Sequence, residues 1–123
     1  MRQGNTTNFH DALKMKMDEY AYLVYRATKN FPKDEIYGIT SQLRRSALSV
    51  ILNYIEGFAR AGDKQLKNFL QISYGSLKES KYLLYFSQRE GYISKGDYDK
   101  LLGLSEEIGA MLWTTISGIV KKC

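Results

Sequence analysis

The chain is poor in residues that break or staple a fold. It has one proline, Pro32, and few Asn-Gly or Asp-Gly pairs in 123 residues, so little interrupts a helix. Its one cysteine is the last residue, Cys123. No disulfide can form within the chain, and a cytoplasmic home is the expectation. Its one histidine is His10. One Cys and one His cannot supply a zinc cluster, and a Ser-His-Asp triad would have to be built close to the N-terminus. Neither Gly-x-x-x-x-Gly-Lys nor Gly-x-Gly-x-x-Gly occurs, which removes the usual phosphate and dinucleotide cradles. Asp11, Asp18, Glu19, Glu106 and Glu107 lack the Glu-x-x-His spacing of di-iron bundles and read as solvated charges. No apolar run reaches the roughly 18 residues of a membrane span, and MRQGNTTNFH lacks the apolar stretch of a secretory signal. No cofactor, no metal, no membrane partner and no enzymatic activity are expected.

What is present is helical periodicity and localised charge. Hydrophobic residues make up 44% and charged residues 25% of the chain, a balance that suits one domain, residues 1–123, with a real core. The net charge is +5. Residues 36–89 hold eight basic groups (Arg44, Arg45, Arg60, Lys64, Lys67, Lys78, Lys81, Arg89) against three acidic ones (Glu56, Asp63, Glu79), and the rest of the chain holds ten of each. The whole excess, 8 − 3 = 5, lies in the middle. A localised excess points to an anionic partner more than a diffuse one does.

Spacing predicts four long helices. Residues 1–7 are polar and expected to fray. The first helix is expected from about Asn8 to Lys29, with Leu13, Met17, Tyr20, Ala21, Val24 and Ala27 facing inward. Pro32 separates it from the second, and Asp34 and Glu35 suit the positive end of that second helix, which runs from Ile39 to near Arg60. Gly62 fits a left-handed helix end and Asp63 a cap. The third helix follows from about Lys64 to Arg89, with Leu66, Phe69, Leu70, Ser73, Leu77, Ser80 and Leu84 on one face. After Glu90-Gly91-Tyr92-Ile93, Ser94 caps a fourth helix from about Lys95 to Lys121. Its inward row is Tyr98, Leu101, Ser105, Ile108, Leu112, Thr115 and Ile119, and Lys121 and Lys122 sit at its negative end. Short loops between long helices imply antiparallel neighbours. The expected fold is therefore all-α, an up-down-up-down four-helix bundle.

The second helix carries more apolar surface than a bundle needs. At about 100° per residue, Gln42, Arg45, Ser49, Asn53, Glu56 and Arg60 form one polar stripe, and apolar residues fill most of the rest. That width implies more than one neighbour and hence an oligomer. The stripe reads either as an Arg45–Asn53–Glu56 network that specifies packing or binds a ligand, or as a solvated face. A catalytic role for Glu56 lacks a partner group. Arg44 points about 100° away from Arg45 and is expected to pair across an interface.

On the third helix Lys64, Lys67, Tyr74, Lys78, Lys81, Tyr85 and Arg89 share one side, joined by Arg60 at the end of the second. Lysines neutralise phosphates and tyrosines stack on bases, so this row could follow an RNA or DNA backbone. It could equally be a solvated bundle face.

The segments Phe31-Pro32-Lys33-Asp34-Glu35, Ser41-Gln42-Leu43-Arg44-Arg45-Ser46-Ala47, Ser49-Val50, Asn53-x-x-Glu56-Gly57-Phe58-x-Arg60 and Gly75-Ser76-Leu77-Lys78-Glu79 resemble the four-helix-bundle proteins encoded by intervening sequences in large-subunit ribosomal RNA genes. The resemblance extends over about half the chain. One departure is clear: Ile51-Leu52 stands where the family has proline and a small residue. The resemblance implies an all-helical bundle without known catalytic activity. It also implies a ring-like homopentamer, related to an accessory protein of diversity-generating retroelements that binds nucleic acid and a reverse transcriptase. A protein partner follows from the same relation. The family's ribosomal-protein label comes from gene location.

Overall fold

The inward rows set out above are what four helices bury against one another. In the computed structural model, which describes residues 5–122 and their side chains from 8 to 119, α1 is Asn5–Thr28, α2 Ile39–Ala59, α3 Asp63–Arg89 and α4 Lys95–Lys122, with one 3-10 turn at Lys33–Glu35. No strand occurs among the described residues. Fraying is expected over residues 1–7, but residues 5–7 already belong to α1, which starts three residues earlier than its spacing predicts. Residues 1–4, the side chains of Lys121 and Lys122, and Cys123 lie outside what is described.

Cross-links between the helices give their directions. On α1 and α2, His10 meets Tyr54 and Thr28 meets Arg44. On α2 and α3, Ser49 meets Ser76, and Gly57 lies against Leu66 and Phe69. On α3 and α4, Tyr74 meets Trp113 and Lys81 meets Glu106. On α1 and α4, Lys16 pairs with Glu107, while Arg26 and Ala27 share a cavity with Asp97 and Lys100. In every pair the residue numbers run in opposite order, so each helix lies antiparallel to the next and α4 closes onto α1.

The core is one continuous cluster. Leu13, Met17, Tyr20 and Val24 of α1 meet Leu43, Ala47 and Val50 of α2, Leu70, Leu77 and Leu84 of α3, and Leu101, Ile108 and Leu112 of α4. Burying each large side chain contributes about 1.5–3 kcal/mol before the entropy of ordering it is counted. On α3, Leu66 and Phe69 are only half-buried, and both lie against Gly57 of α2.

The ends of the helices follow local chemistry. Gly62 has φ +94°, the left-handed conformation that glycine adopts without strain. The α3 helix starts at Asp63, so this residue is the first of the helix and not its cap, and Gly62 occupies the cap position without a side-chain bond. At α4 the Asp97 N–H donates to Ser94 Oγ at 3.1 Å, as its spacing predicts. Glu35 serves the start of α2 directly, where its Oε1 accepts from the Ile39 N–H at 3.2 Å and its Oε2 from the Tyr92 hydroxyl at 3.1 Å. Phe31 is buried beside Tyr92 with ring centres 5.5 Å apart.

A polar pair crosses the centre of the bundle. The Tyr20 hydroxyl lies 2.7 Å from Ser80 Oγ, which itself donates to the Leu77 carbonyl at 2.8 Å. Tyr20 is therefore the donor. Burial pushes the Tyr20 phenol up to about 12 from its ordinary 10. The neutral phenol is favoured in the fold, so this contribution is complete below pH 10 and is lost as pH rises toward 12. Tyr20→Phe is expected to cost about 0.5–1.5 kcal/mol at neutral pH and to flatten the fall in stability above pH 10. Denaturant midpoints measured at pH 8 to 11.5 check both effects.

Candidate nucleic-acid interface on helices three and four

Lys64 and Arg89 stand 25 residues apart on α3, a distance of about 37 Å along a helix. The side of α3 turned away from the core carries Lys64, Gln71, Tyr82 and Arg89, all exposed, with Lys78 and Tyr85 beside them. Lys67 and Tyr74 are half-buried. Among the described residues Lys64, Lys67, Lys78 and Arg89 make no ion pair. Two of these cations rest on aromatic rings: Lys78 Nζ lies 5.3 Å from the Tyr74 ring centre, and the Arg89 guanidinium 5.6 Å from that of Tyr85.

The other two cations of the expected site have partners within the chain. Lys81 pairs with Glu106 of α4, and its hydrogen bond and charge hold the Glu106 carboxyl below the usual carboxylate range. Arg60 pairs with Glu56 at 2.6 Å and stacks over Phe69. The row therefore has four uncommitted cations and two that cross-link helices or turns.

The polar stripe of α2 does not form one network. Arg45 donates to Ser41 Oγ at 2.9 Å, Asn53 donates to Ser49 Oγ at 2.8 Å, and Glu56 takes Arg60. Each bond spans one helical turn. The Ser49–Asn53 pair is hydrogen-bonded to another helix, through Ser76 of α3 at 2.8 Å. Arg44 is used inside the chain: its Nε donates to Thr28 Oγ1 at 2.7 Å and its guanidinium lies over Tyr25 of α1. Asn53, Ser49 and Arg44 thus fasten α2 to its two neighbours.

Two features are joined only by the fold. Trp113 of α4, 55% exposed, has its ring centre 5.5 Å from that of Tyr74 on α3. The two border a cleft of about 280 Å³ that Lys78, Lys81 and Glu106 also line. At the far end of the α1–α2 pair, His10, Tyr54 and Phe58 pack their rings together, with His10 Nδ1 hydrogen-bonded to the Tyr54 hydroxyl at 2.8 Å. Burial, and then the charge of Asp11, push the Tyr54 phenol up to about 12. The only tryptophan and the only histidine were the signals available in the sequence.

Among the described residues no group of three or more His, Cys, Asp or Glu side chains is placed to hold a metal ion. No described helix is long and apolar enough to cross a membrane.

Residues 12–114 match the 23S rRNA-intervening sequence protein family. The chain belongs to that family. A crystal structure similar in fold is a protein of unknown function from the S23 ribosomal protein family of Bacteroides thetaiotaomicron VPI-5482. It is 24% identical, with a TM-score of 0.82 over 89% of this chain and 98% of that one. No curated protein matches the chain. For this intervening-sequence family member, most of the motif residues have folding contacts. Phe31 and Glu35 build the elbow before α2, Ser49 and Asn53 tie α2 to α3, and Gly57 lets the two approach. Lys33, Asp34, Gln42, Gly75, Lys78 and Glu79 are instead exposed. A Cβ at Gly75 would meet nothing within 4 Å, and Lys78 has no carboxylate partner among the described residues.

Proposed function

We propose that this protein is a non-catalytic accessory factor that assembles with copies of itself and binds RNA or DNA through the basic face of α3. The observation that carries the reading is the row Lys64, Lys67, Lys78 and Arg89, four cations on one side of a single helix that make no ion pair among the described residues. Four phosphate contacts on a single strand give a salt slope of about 4 × 0.7 = 2.8, so affinity falls about 50-fold between about 50 and 200 mM salt. Anisotropy of a labelled oligonucleotide at the two salt concentrations checks this. Binding that is absent at the lower concentration, or indifferent to salt, removes the nucleic-acid reading.

Assembly rests on α2. Its apolar surface has two sides, of which Leu43, Ala47 and Val50 face the core, while Leu52, Ile55 and Phe58 are 57%, 47% and 46% exposed. Ile55 and Phe58 line one open hollow along the α1–α2 pair and Tyr22 and Tyr25 of α1 line a second, and Leu52 stands exposed on α2 outside both. A second copy covering this exposed apolar face of α2, closing into a five-membered ring in the cytoplasm as the family resemblance suggests, is the assembly proposed. Leu52→Lys is expected to leave the monomer folded and shift its solution mass toward one chain. A wild-type protein already monomeric at micromolar concentration contradicts the assembly.

The same apolar face favours a second reading, a protein-interaction scaffold with no nucleic-acid role. That scaffold would assemble identically and ignore charge reversal on α3.

A further inference from the structure

The proposal that nucleic acid lies along α3 leaves open whether the strand is paired, and the cleft between α3 and α4 bears on that question. Trp113 is a large ring left 55% exposed on a helix with a well-filled core. Its neighbours one turn back are Gly109 and Ala110, so no bulky side chain of its own helix covers the ring. Across the cleft stands Tyr74, tilted at 46°. Beyond it is Gly75, where the surface is bare. The charged groups facing the cleft are Lys78, Lys81 and Glu106. Lys81 and Glu106 neutralise each other, which leaves Lys78, 5.3 Å from the Tyr74 ring centre, as the uncommitted charge. Aromatic surface for a base therefore adjoins a cation for its phosphate.

The geometry points to a stacking site in which an unpaired nucleobase lies against Trp113 and Tyr74 while the adjoining phosphate meets Lys78. This rests on the nucleic-acid reading above and sharpens it, because the ligand is then a single strand. In a duplex the faces of the bases are hidden against one another, whereas an unpaired base has a free face for an aromatic ring. Glu106, already held by Lys81, does not repel the phosphate as a free carboxylate would.

The test uses the full chain, a labelled single-stranded 20-mer and the duplex of the same sequence. Trp113 is the only tryptophan, so intrinsic emission reports this site alone. Wild-type protein is expected to bind the single strand more tightly than the duplex, with the emission quenched as it does so. Trp113→Ala is expected to weaken single-strand binding roughly 10- to 100-fold. It is also expected to leave duplex affinity, the salt slope and the thermal midpoint close to wild type, and Trp113→Phe to retain most of the affinity. Salt-sensitive binding of both forms with equal affinity, or unchanged emission on binding, overturns the stacking site while leaving nucleic-acid binding intact. No binding of either form at low salt overturns both.

Discussion

Lys67→Glu combined with Lys78→Glu is expected to weaken oligonucleotide binding by on the order of 100-fold at low salt while the bundle stays folded. Both side chains lack an ion-pair partner among the described residues, so reversal breaks no salt bridge of the fold. Each reversal replaces an attraction to phosphate of about 1 kcal/mol at 4 Å in water with a repulsion of similar size. Salt screening reduces the sum of about 4 kcal/mol, and about 2.7 kcal/mol corresponds to a factor of about 100. Losing two of four contacts also lowers the salt slope by about 1.4. Lys81→Glu is a different experiment, because it sets a second carboxylate beside Glu106 across the α3–α4 seam and is expected to act on stability as well. Anisotropy titrations with thermal midpoints measured on the same samples separate the two effects. Unchanged affinity in the double reversal returns the protein to the scaffold reading.

Gly57→Leu is expected to lower the thermal midpoint by about 10 °C or more, a loss of about 3 kcal/mol or more. Gly57 is buried where α2 crosses α3, and a Cβ there would lie 3.1 Å from Phe69 Cβ and 3.2 Å from Leu66 Cδ1. Even the alanine variant must push α3 away, so the roughly 1 kcal/mol that alanine gains over glycine in a helix is largely cancelled. A leucine adds three further carbons beside the Phe69 Cβ and the Leu66 carbonyl, where only the Leu66 side-chain end can move aside. Gly75→Leu is the control: the same substitution in an equally helical setting, with open space around the new Cβ, is expected to raise stability by about 0.5–1 kcal/mol. Opposite signs at two helical glycines, read by differential scanning calorimetry, would establish the close α2–α3 approach. Equal signs would contradict it.

The helices were legible because their inward residues recur at three and four. All six expected inward residues of α1 are buried, as are Leu70, Ser73, Leu77, Ser80 and Leu84 on α3. Asp63 was misplaced as a cap because glycine at 62 can itself occupy the boundary through its positive φ, which composition cannot distinguish from a side-chain cap. The lysine row was legible for the reason the core was: periodicity reports on one helix at a time. It is silent about what a second helix contributes. Trp113 meets Tyr74, and Arg44 meets Thr28, only because antiparallel packing brings them together. The Arg45–Asn53–Glu56 stripe shows the opposite limit, since three polar residues on one face need not bond to each other. Each finds a partner one turn away on α2, at Ser41, Ser49 and Arg60.

Assembly and nucleic-acid binding meet in one measurement, native mass spectrometry of the full chain at low ionic strength with and without a single-stranded 20-mer. Without it, the expected species is a multiple of the 14.2 kDa chain, about 71 kDa if the ring has five members. With it, the expected species is heavier by the mass of the oligonucleotide, and the adduct recedes as salt is raised. A 14.2 kDa species that the oligonucleotide leaves unchanged would contradict both halves of the account.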